Sequence, residues 1–348
     1  MSLQSKYIGF LDAIKLTRQS DEYKTVREKD DLVTGKVEAA FKKEGYTVKR
    51  NFIQGSLAQF VDIGVKPLDG DYDIDRAIAI EDDNNAPEDP VEPKKIVRDV
   101  LDAHGFKEPR IKRPCVTADY KGQNFHIDFP VYKVDAFDDY FIAMGNENSS
   151  DESKGWEEAD PKGLVDWIKK RETLVETLTD EEHTQFRRVA RYIKRWRDHT
   201  YTNDTERKKI YSIGLTVMFK TVFSPEISDE GKADDHKALI NTVEEIIDSA
   251  YFFTDLGEGK YDLQVDLPVK PNEDIFTKHG KTVGTSFRNK LKKLLSDLKE
   301  VSEMESISDQ CEKLRKVFGD DFPEDNSDPD GERHKAKEAG VVGVSSGA

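Results

Sequence analysis

The chain has 348 residues, 36% of them hydrophobic, which suffices for about two packed lobes. Its 54 Lys and Arg against 70 Asp and Glu leave a formal net charge of -16, which argues against a general electrostatic grip on duplex nucleic acid and for small charged ligands held locally. No apolar run approaches the roughly 18 residues of a membrane helix, and residues 1–20 mix Lys, Gln and Asp with apolar side chains; neither a membrane span nor a signal peptide is expected, and the expected location is the cytoplasm.

Tyr7, Phe10, Leu11 and Ile14, then Val33, Val37, Ala40 and Phe41, recur at helical spacing and predict two helices in residues 1–45. From Tyr46 the pattern alternates, with Tyr46, Val48 and Phe52 on one side and Thr47, Lys49 and Asn51 on the other, until Gly55-Ser56 interrupts it. Further alternation predicts strands over 72–80 and 125–131, with a helix over 94–104 between them and an acidic solvated loop over 81–92. Beyond Asp138 the periodicity predicts helices throughout. Asp160-Pro161 reads as an N-cap with proline in the first turn, and Thr179 with Glu182 reads as a capping box; further helices are predicted near 212–222, 237–252, 287–298 and 301–317. The expected fold is α+β: a mixed sheet with N-terminal helices (1–137), a helical lobe closing a cleft (138–322) and a disordered polar tail (323–348).

The chemistry centres on Asp71-Tyr72-Asp73-Ile74-Asp75-Arg76-Ala77-Ile78-Ala79-Ile80. Strand alternation puts Ile74, Ile78 and Ile80 on one face and Asp73 with Asp75 on the other, so two carboxylates share one small volume and a hard divalent cation is their natural partner. Asp128 repeats the logic, opposite Phe125, Ile127, Phe129 and Val131. Three acids on strand faces suit a two-ion phosphoryl-transfer site. Upstream, Gly55 lets the backbone approach phosphate and Ser56 supplies a hydroxyl. Seven histidines offer no persuasive pairing with a nucleophile. His126, on the same strand face as Asp128, is read as a hydrogen-bonded histidine or an outer neighbour of a metal. Cys115 and Cys311 are the only cysteines, too few for a disulfide framework or a structural zinc site, and both are expected to be buried thiols.

Gln54-Gly55-Ser56, Asp73-Ile74-Asp75, Asp128 and the stretch Trp-Glu-Glu-Ala-Asp-Pro-Lys-Gly-Leu-Val-Asp-Trp over 156–167 resemble the bacterial cGAS/DncV-like nucleotidyltransferases, or CD-NTases, of the polymerase-beta-like superfamily, across roughly residues 1–320. The resemblance implies that Asp73, Asp75 and Asp128 bind two Mg2+ ions, or Mn2+, and that the enzyme joins nucleoside triphosphates, ATP foremost, into a cyclic di- or trinucleotide with release of pyrophosphate. It implies a role in anti-phage signalling of the CBASS type. It also places Gln54, Gly55 and Ser56 at the nucleotide, with Lys194 and Ser212 on the triphosphate; a lysine point charge and a helix start both suit an anion. The residues read alone allow Arg187, Arg191, Lys194 and Arg195 to be a solvated helix face, and Trp196 and Tyr192 to be core.

The chain departs from the family pattern at Phe60-Val61-Asp62, where many members carry a threonine after Gly-Ser, and Asp71 adds an acid that competes as a ligand. Two cysteines cannot build the zinc insertion with which animal members bind DNA, so neither zinc nor stable duplex DNA binding is expected. The resemblance also implies partners from the same operon, either other regulatory proteins or a ubiquitin-transfer-like enzyme that conjugates the synthase through its C-terminal residue, here Ala348 at the end of a polar tail. Two other readings stay open at this point: a nucleotidyltransferase acting on an RNA, protein or small-molecule acceptor, and a non-catalytic scaffold.

Overall fold

The computed structural model describes residues 2–17, 19, 21–55, 63–68, 72–120 and 125–325. Ser2 caps α1 (Leu3–Ile14) by accepting from the Ser5 N–H, and α2 (Asp21–Lys43) comes next. Then come β1 (Val48–Ile53), β2 (Tyr72–Glu81), α3 (Val91–Ala103), β3 (Phe106–Ile111), β4 (Val116–Tyr120), β5 (Phe125–Phe129), β6 (Val131–Val134), β7 (Tyr140–Met144) and β8 (Gly155–Ala159). These strands form one sheet in the order β3-β4-β5-β2-β6-β7-β8, with β1 also paired to β2. The first half of β2 pairs in parallel with β5 and its second half with β6. Pro130 separates β5 from β6, and a residue without an N–H suits the point where the chain leaves one pairing for the next.

The alternation in β2 sorts as expected. Ile74, Ile78 and Ile80 pack with Val33, Val37 and Phe41 of α2 and Val97 and Leu101 of α3. Ala77 and Ala79 face the other way, with Tyr132 and Tyr140. β1 departs from the sequence reading: Tyr46 and Val48 join the helix-side core while Phe52 joins the opposite one, because the β1–β2 register shifts between Val48 and Arg50 and such a bulge reverses the facing of the residues beyond it. Arg76 is buried beside Asp75 in sequence; its Nε donates to Asp30 Oδ1 at 2.8 Å and its Nη1 to Asn51 Oδ1 at 2.9 Å, which ties β2 to α2 and β1.

The helical expectation beyond Asp138 is corrected by β7 and β8, which extend the sheet by two strands. Tyr140, Ala143 and Met144 are spaced as well for a helix turn as for a strand, so only pairing with β6 decides. α4 (Pro161–Lys169) starts at Asp160, whose Oδ1 accepts from the Gly163 N–H at 2.7 Å, and α5 (Asp180–Thr200) starts with the complete Thr179/Glu182 capping box. α6 (Asp204–Arg207), α7 (Ser212–Thr221) and α8 (Asp235–Asp248) continue the lobe. Next comes a hairpin absent from the sequence reading, β9 (Phe253–Gly257) and β10 (Lys260–Leu263), then α9 (Gly280–Glu303) and α10 (Ile307–Phe318). α9 lies directly on the β10 backbone: a Cβ at Gly284 would sit 2.3 Å from the Tyr261 carbonyl oxygen.

Of the two N-terminal helices expected to back the sheet, α2 does so, whereas Tyr7, Phe10 and Ile14 of α1 are buried in the helical core with Tyr192, Phe318 and Phe322. Tyr192 and Trp196 are core residues, as read. The tail does not begin at 323: Lys6 Nζ donates to Glu324 O at 3.0 Å and Asp325 Oδ1 at 3.1 Å, and both side chains of that ion pair are nearly buried. A carbonyl and a carboxylate held by one shielded ammonium anchor these residues to α1 despite their polar composition. No described helix is long and apolar enough to cross a membrane.

Candidate active site

Strand register sets the acids. In the parallel β2–β5 pair Asp75 stands beside Asp128 and Asp73 beside His126; in the antiparallel β4–β5 pair Thr117 faces Asp128 and Asp119 faces His126. Directly paired residues point to the same side of a sheet, so Thr117, Asp128 and Asp75 form one row across three strands and Asp119 with His126 forms the start of another. Asp119 was missed from the sequence, although the run Val116-Thr117-Ala118-Asp119-Tyr120 alternates and signals a strand. Its Oδ1 stands against His126 Nδ1. The Asp73 side chain lies outside what is described, as do Ser56, Asp71, residues 60–62 and the tail from 326 to Ala348.

The glycine approaches the acids from β1. Gln54 N–H donates to the Asp75 carbonyl at 3.0 Å and extends the β1–β2 ladder by one bond. Gly55 then turns with φ +68°, and a Cβ there would lie 2.4 Å from Asp75 Oδ2, closer than atoms can stand. Only glycine fits without moving the carboxylate. Tyr132 O–H holds Gln54 from the sheet, donating to its Oε1 at 3.0 Å, and burial raises the phenol pKa so that it stays a donor. Cys115, a buried thiol as expected, is kept neutral by burial and by the carboxylates of Asp128 and Asp75.

A cavity of about 650 Å³ opens between this face and the helical lobe. Gln54, Gly55 and Asp75 line it from the sheet, Lys194 and Ser212 from α5 and the first residue of α7. Five residues selected from the sequence therefore meet in one space. Asp128 is not among the lining residues but is the register partner of Asp75. Glu157, Ala159 and Asp160, from the stretch over 156–167, form one rim. Residues 267–275, which carried no signal in the sequence, form another, tied to the first where Asp160 N–H donates to Lys270 O at 3.2 Å.

The solvated-face reading of α5 fails. Arg191, Lys194 and Arg195 are buried, and Lys194 Nζ donates to Ile63 O at 3.2 Å. Burial, aided by the nearby charges of Arg197 and Arg191, pulls the Lys194 pKa down to about 7.

The donor set fits a divalent cation. Asp128 Oδ1 is buried with no hydrogen-bond partner among the described residues, and the Asp75 carboxylate stands on the adjacent strand. Among the described residues no group of three or more His, Cys, Asp or Glu is placed to hold a metal ion.

Residues 49–132 match the family model for the nucleotidyltransferase domain of cyclic GMP-AMP synthase DncV-like proteins. The chain has the fold of a DncV-like nucleotidyltransferase. It superposes on the CD-NTase CdnG of Bradyrhizobium diazoefficiens in complex with GTP with a TM-score of 0.67 at 18% identity, covering 92% of this chain and 96% of that one. It also superposes on CdnC of E. coli MS115-1 with ATP (TM-score 0.63, 17% identity, 92% and 98% covered). Vibrio cholerae DncV cyclic AMP-GMP synthase with the linear intermediate 5' pppA(3',5')pG gives a TM-score of 0.60 (16% identity, 93% and 92% covered). Among curated proteins none matches this chain by sequence. The resemblance read from Gly55, Asp73, Asp75 and Asp128 and the α+β fold expected from it are both borne out.

Proposed function

We propose that this protein is a metal-dependent nucleotidyltransferase that joins nucleoside triphosphates into a cyclic di- or trinucleotide. The observation that carries the reading is one cavity with Asp75, set beside Asp128, on its sheet wall and Lys194 with the start of α7 on its helical wall. A triphosphate spans such a gap, its charge met by a lysine and a helix start on one side. Asp75 and Asp128, with Asp73 by strand phase, would hold Mg2+ or Mn2+. A divalent cation there supplies a Lewis acid for phosphoryl transfer and lowers the pKa of a bound hydroxyl. In the transfer a ribose hydroxyl attacks the α-phosphate of a second nucleotide, the bond to the β-phosphate breaks, and pyrophosphate leaves; repetition within one cleft closes the ring.

The chain's own residues hold this geometry. Gly55 brings the backbone of the nucleotide loop onto Asp75, Gln54 fixes that approach through Tyr132, and the hydroxyl of Ser56 comes next in sequence. Matched structures contain GTP with CdnG, ATP with CdnC and pppA(3',5')pG with DncV, which supports purine triphosphates here, with ATP foremost from the sequence resemblance. CdnC of E. coli MS115-1 also occurs in complex with HORMA-deltaN, which supports a regulatory protein partner for this chain within a CBASS-type defence. The tail ending at Ala348 remains the candidate for conjugation by a ubiquitin-transfer-like enzyme. A cytoplasmic location accords with these roles.

The test is to incubate the purified protein with Mg2+ and labelled ATP, GTP, CTP and UTP, treat with phosphatase, and resolve the products by chromatography and mass spectrometry. Phosphatase-resistant cyclic species from the wild type, absent with Asp75→Asn, are expected. Only nucleosides and inorganic phosphate after the phosphatase, or products found only attached to an added RNA or protein, contradict the reading.

A further inference from the structure

The rim over residues 267–275 lies outside every helix and strand, yet it forms one side of the cavity. Its backbone is closed on itself. Ile275 N–H donates to Val265 O at 2.9 Å and Leu267 N–H to Glu273 O at 3.0 Å, while Asp274 Oδ1 accepts from the N–H groups of Val265 and Phe276 at 2.8 and 3.0 Å. Both feet of this loop, Val265 and Phe276, are buried in the helical core. Its tip is fastened to the sheet side, where Lys270 O accepts from Asp160 N–H at 3.2 Å.

On this fixed loop the Lys270 ammonium is loosely held. Its Nζ stands 3.8 Å from Asp139 and 3.7 Å from Glu158, and it donates no hydrogen bond to a described residue. All three side chains are about half exposed, and ion pairs of that kind contribute little, so exchanging a carboxylate for a phosphate there costs little.

The charge of the cavity gives that lysine a role. Among the described lining residues Lys194 and Lys270 are the only cations, and Glu158, Asp160 and Glu273 also line it. In the joining reaction a ribose hydroxyl of one nucleotide, the acceptor, bonds to the α-phosphorus of another, the donor; the donor's α–β bond breaks, and pyrophosphate and the hydroxyl proton leave. The acceptor's own 5' triphosphate is untouched by that step. The cleft therefore holds two polyanions at once, and Lys194 with the metal-binding acids answers only the donor's. Along a rim that carries carboxylates, a second polyanion is repelled unless a cation stands with it.

We propose that Lys270 holds the 5' triphosphate of the acceptor nucleotide. The proposal rests on the function proposed above and assigns the second phosphate subsite of the same cavity. Ring closure later uses that triphosphate as the donor, so it must leave Lys270 for the metal side of the cleft; a compact charge on a flexible, exposed stem releases it at small cost.

The test is an internal competition. The four nucleoside triphosphates and the four monophosphates, at equal concentrations with Mg2+, are supplied to wild type, Lys270→Gln, Lys270→Arg and Glu158→Gln, and the joined products are counted by mass spectrometry. A monophosphate serves as acceptor and not as donor, so its products keep a 5' monophosphate, whereas products begun on a triphosphate are cyclic or carry a 5' triphosphate. The wild type is expected to favour triphosphate acceptors about tenfold. Lys270→Gln is expected to cut that preference about fivefold, Lys270→Arg to keep it, and Glu158→Gln, which removes a competing carboxylate, to raise it about twofold. A lysine that merely ties the loop to the sheet gives another pattern: Lys270→Gln and Glu158→Gln slow all products alike and leave the ratio unchanged. That result, or no preference in the wild type, overturns the proposal and leaves the function standing. Should Lys270→Gln fail to fold, the opposite sign expected of Glu158→Gln keeps the test decisive. A wild type that joins no nucleotides on either acceptor overturns the functional reading and the proposal with it.

Discussion

On the sheet wall, Asp75 and Asp128 are half-buried acceptors placed by strand register; on the α5 wall, Arg191, Lys194 and Arg195 are buried donors placed by the carbonyls they hold. The first arrangement is local, since alternation along β2 and β5 fixes it. The second is tertiary, since it exists only when residues 63–66 lie between α1 and α5. The difference matters for electrostatics as well. A chain with net charge -16 sets the buried ammonium of Lys194 on the wall of this cavity opposite Asp75.

The sheet wall is the sharper place to break the site. Asp75→Asn keeps shape and removes charge, and a loss of turnover of about 10³-fold or more is expected with wild-type secondary structure. Single-turnover kinetics and far-UV circular dichroism read both effects. Behind that wall, Arg76→Ala leaves Asp30 buried without its guanidinium, and a destabilisation of about 3–5 kcal/mol by urea unfolding is expected. Activity lost through Arg76 therefore comes with unfolding, whereas activity lost through Asp75 does not.

Gly55→Ala tests the joint between the walls and the nucleotide loop. With φ +68° and the added Cβ 2.4 Å from Asp75 Oδ2, the backbone must shift, and a fall in turnover of about 10–100-fold is expected, with a stability cost of only about 1–2 kcal/mol. On the helical wall the effect is smaller and depends on pH. Lys194 is pulled down to about 7, and under the proposed function its charged form would hold phosphate; wild-type affinity for ATP should then be flat below that pH and fall as pH rises through it. Lys194→Met should bind about tenfold more weakly at pH 6 and show no such fall. A variant that retains the wild-type pH profile would assign the titration to another group.

The same contrast separates what is legible in the sequence from what is not. Ile74, Ile78 and Ile80 announce their face by alternation, and the same spacing delivers Asp75 to the other, so the apolar face of β2 and the place of Asp75 are legible locally, whereas Asp119 on β4 is not. The N-caps at Asp160 and Thr179 are legible for the same reason: their partners lie three residues away. β7 and β8 are short, and only pairing with β6 distinguishes them from helix turns. The β9–β10 hairpin buries little beyond Phe253 and Leu263 and depends on α9 lying over it. The rim at residues 267–275 has no periodicity at all, and the basic row of α5 reads as a solvated face until the carbonyls of Ile63, Gly64 and Lys66 are placed against it.

If Asp75 and Asp128 on one wall and Lys194 on the other complete a single metal–nucleotide site, a bound metal must feel the nucleotide. Electron paramagnetic resonance of Mn2+ added with and without ATP to wild type, Asp75→Asn and Lys194→Met reads that coupling. The expected result is an immobilised Mn2+ signal in the wild type that strengthens with ATP, is lost in Asp75→Asn, and in Lys194→Met no longer strengthens at the same ATP concentration. An unchanged ATP-dependent signal in Asp75→Asn would contradict a shared site.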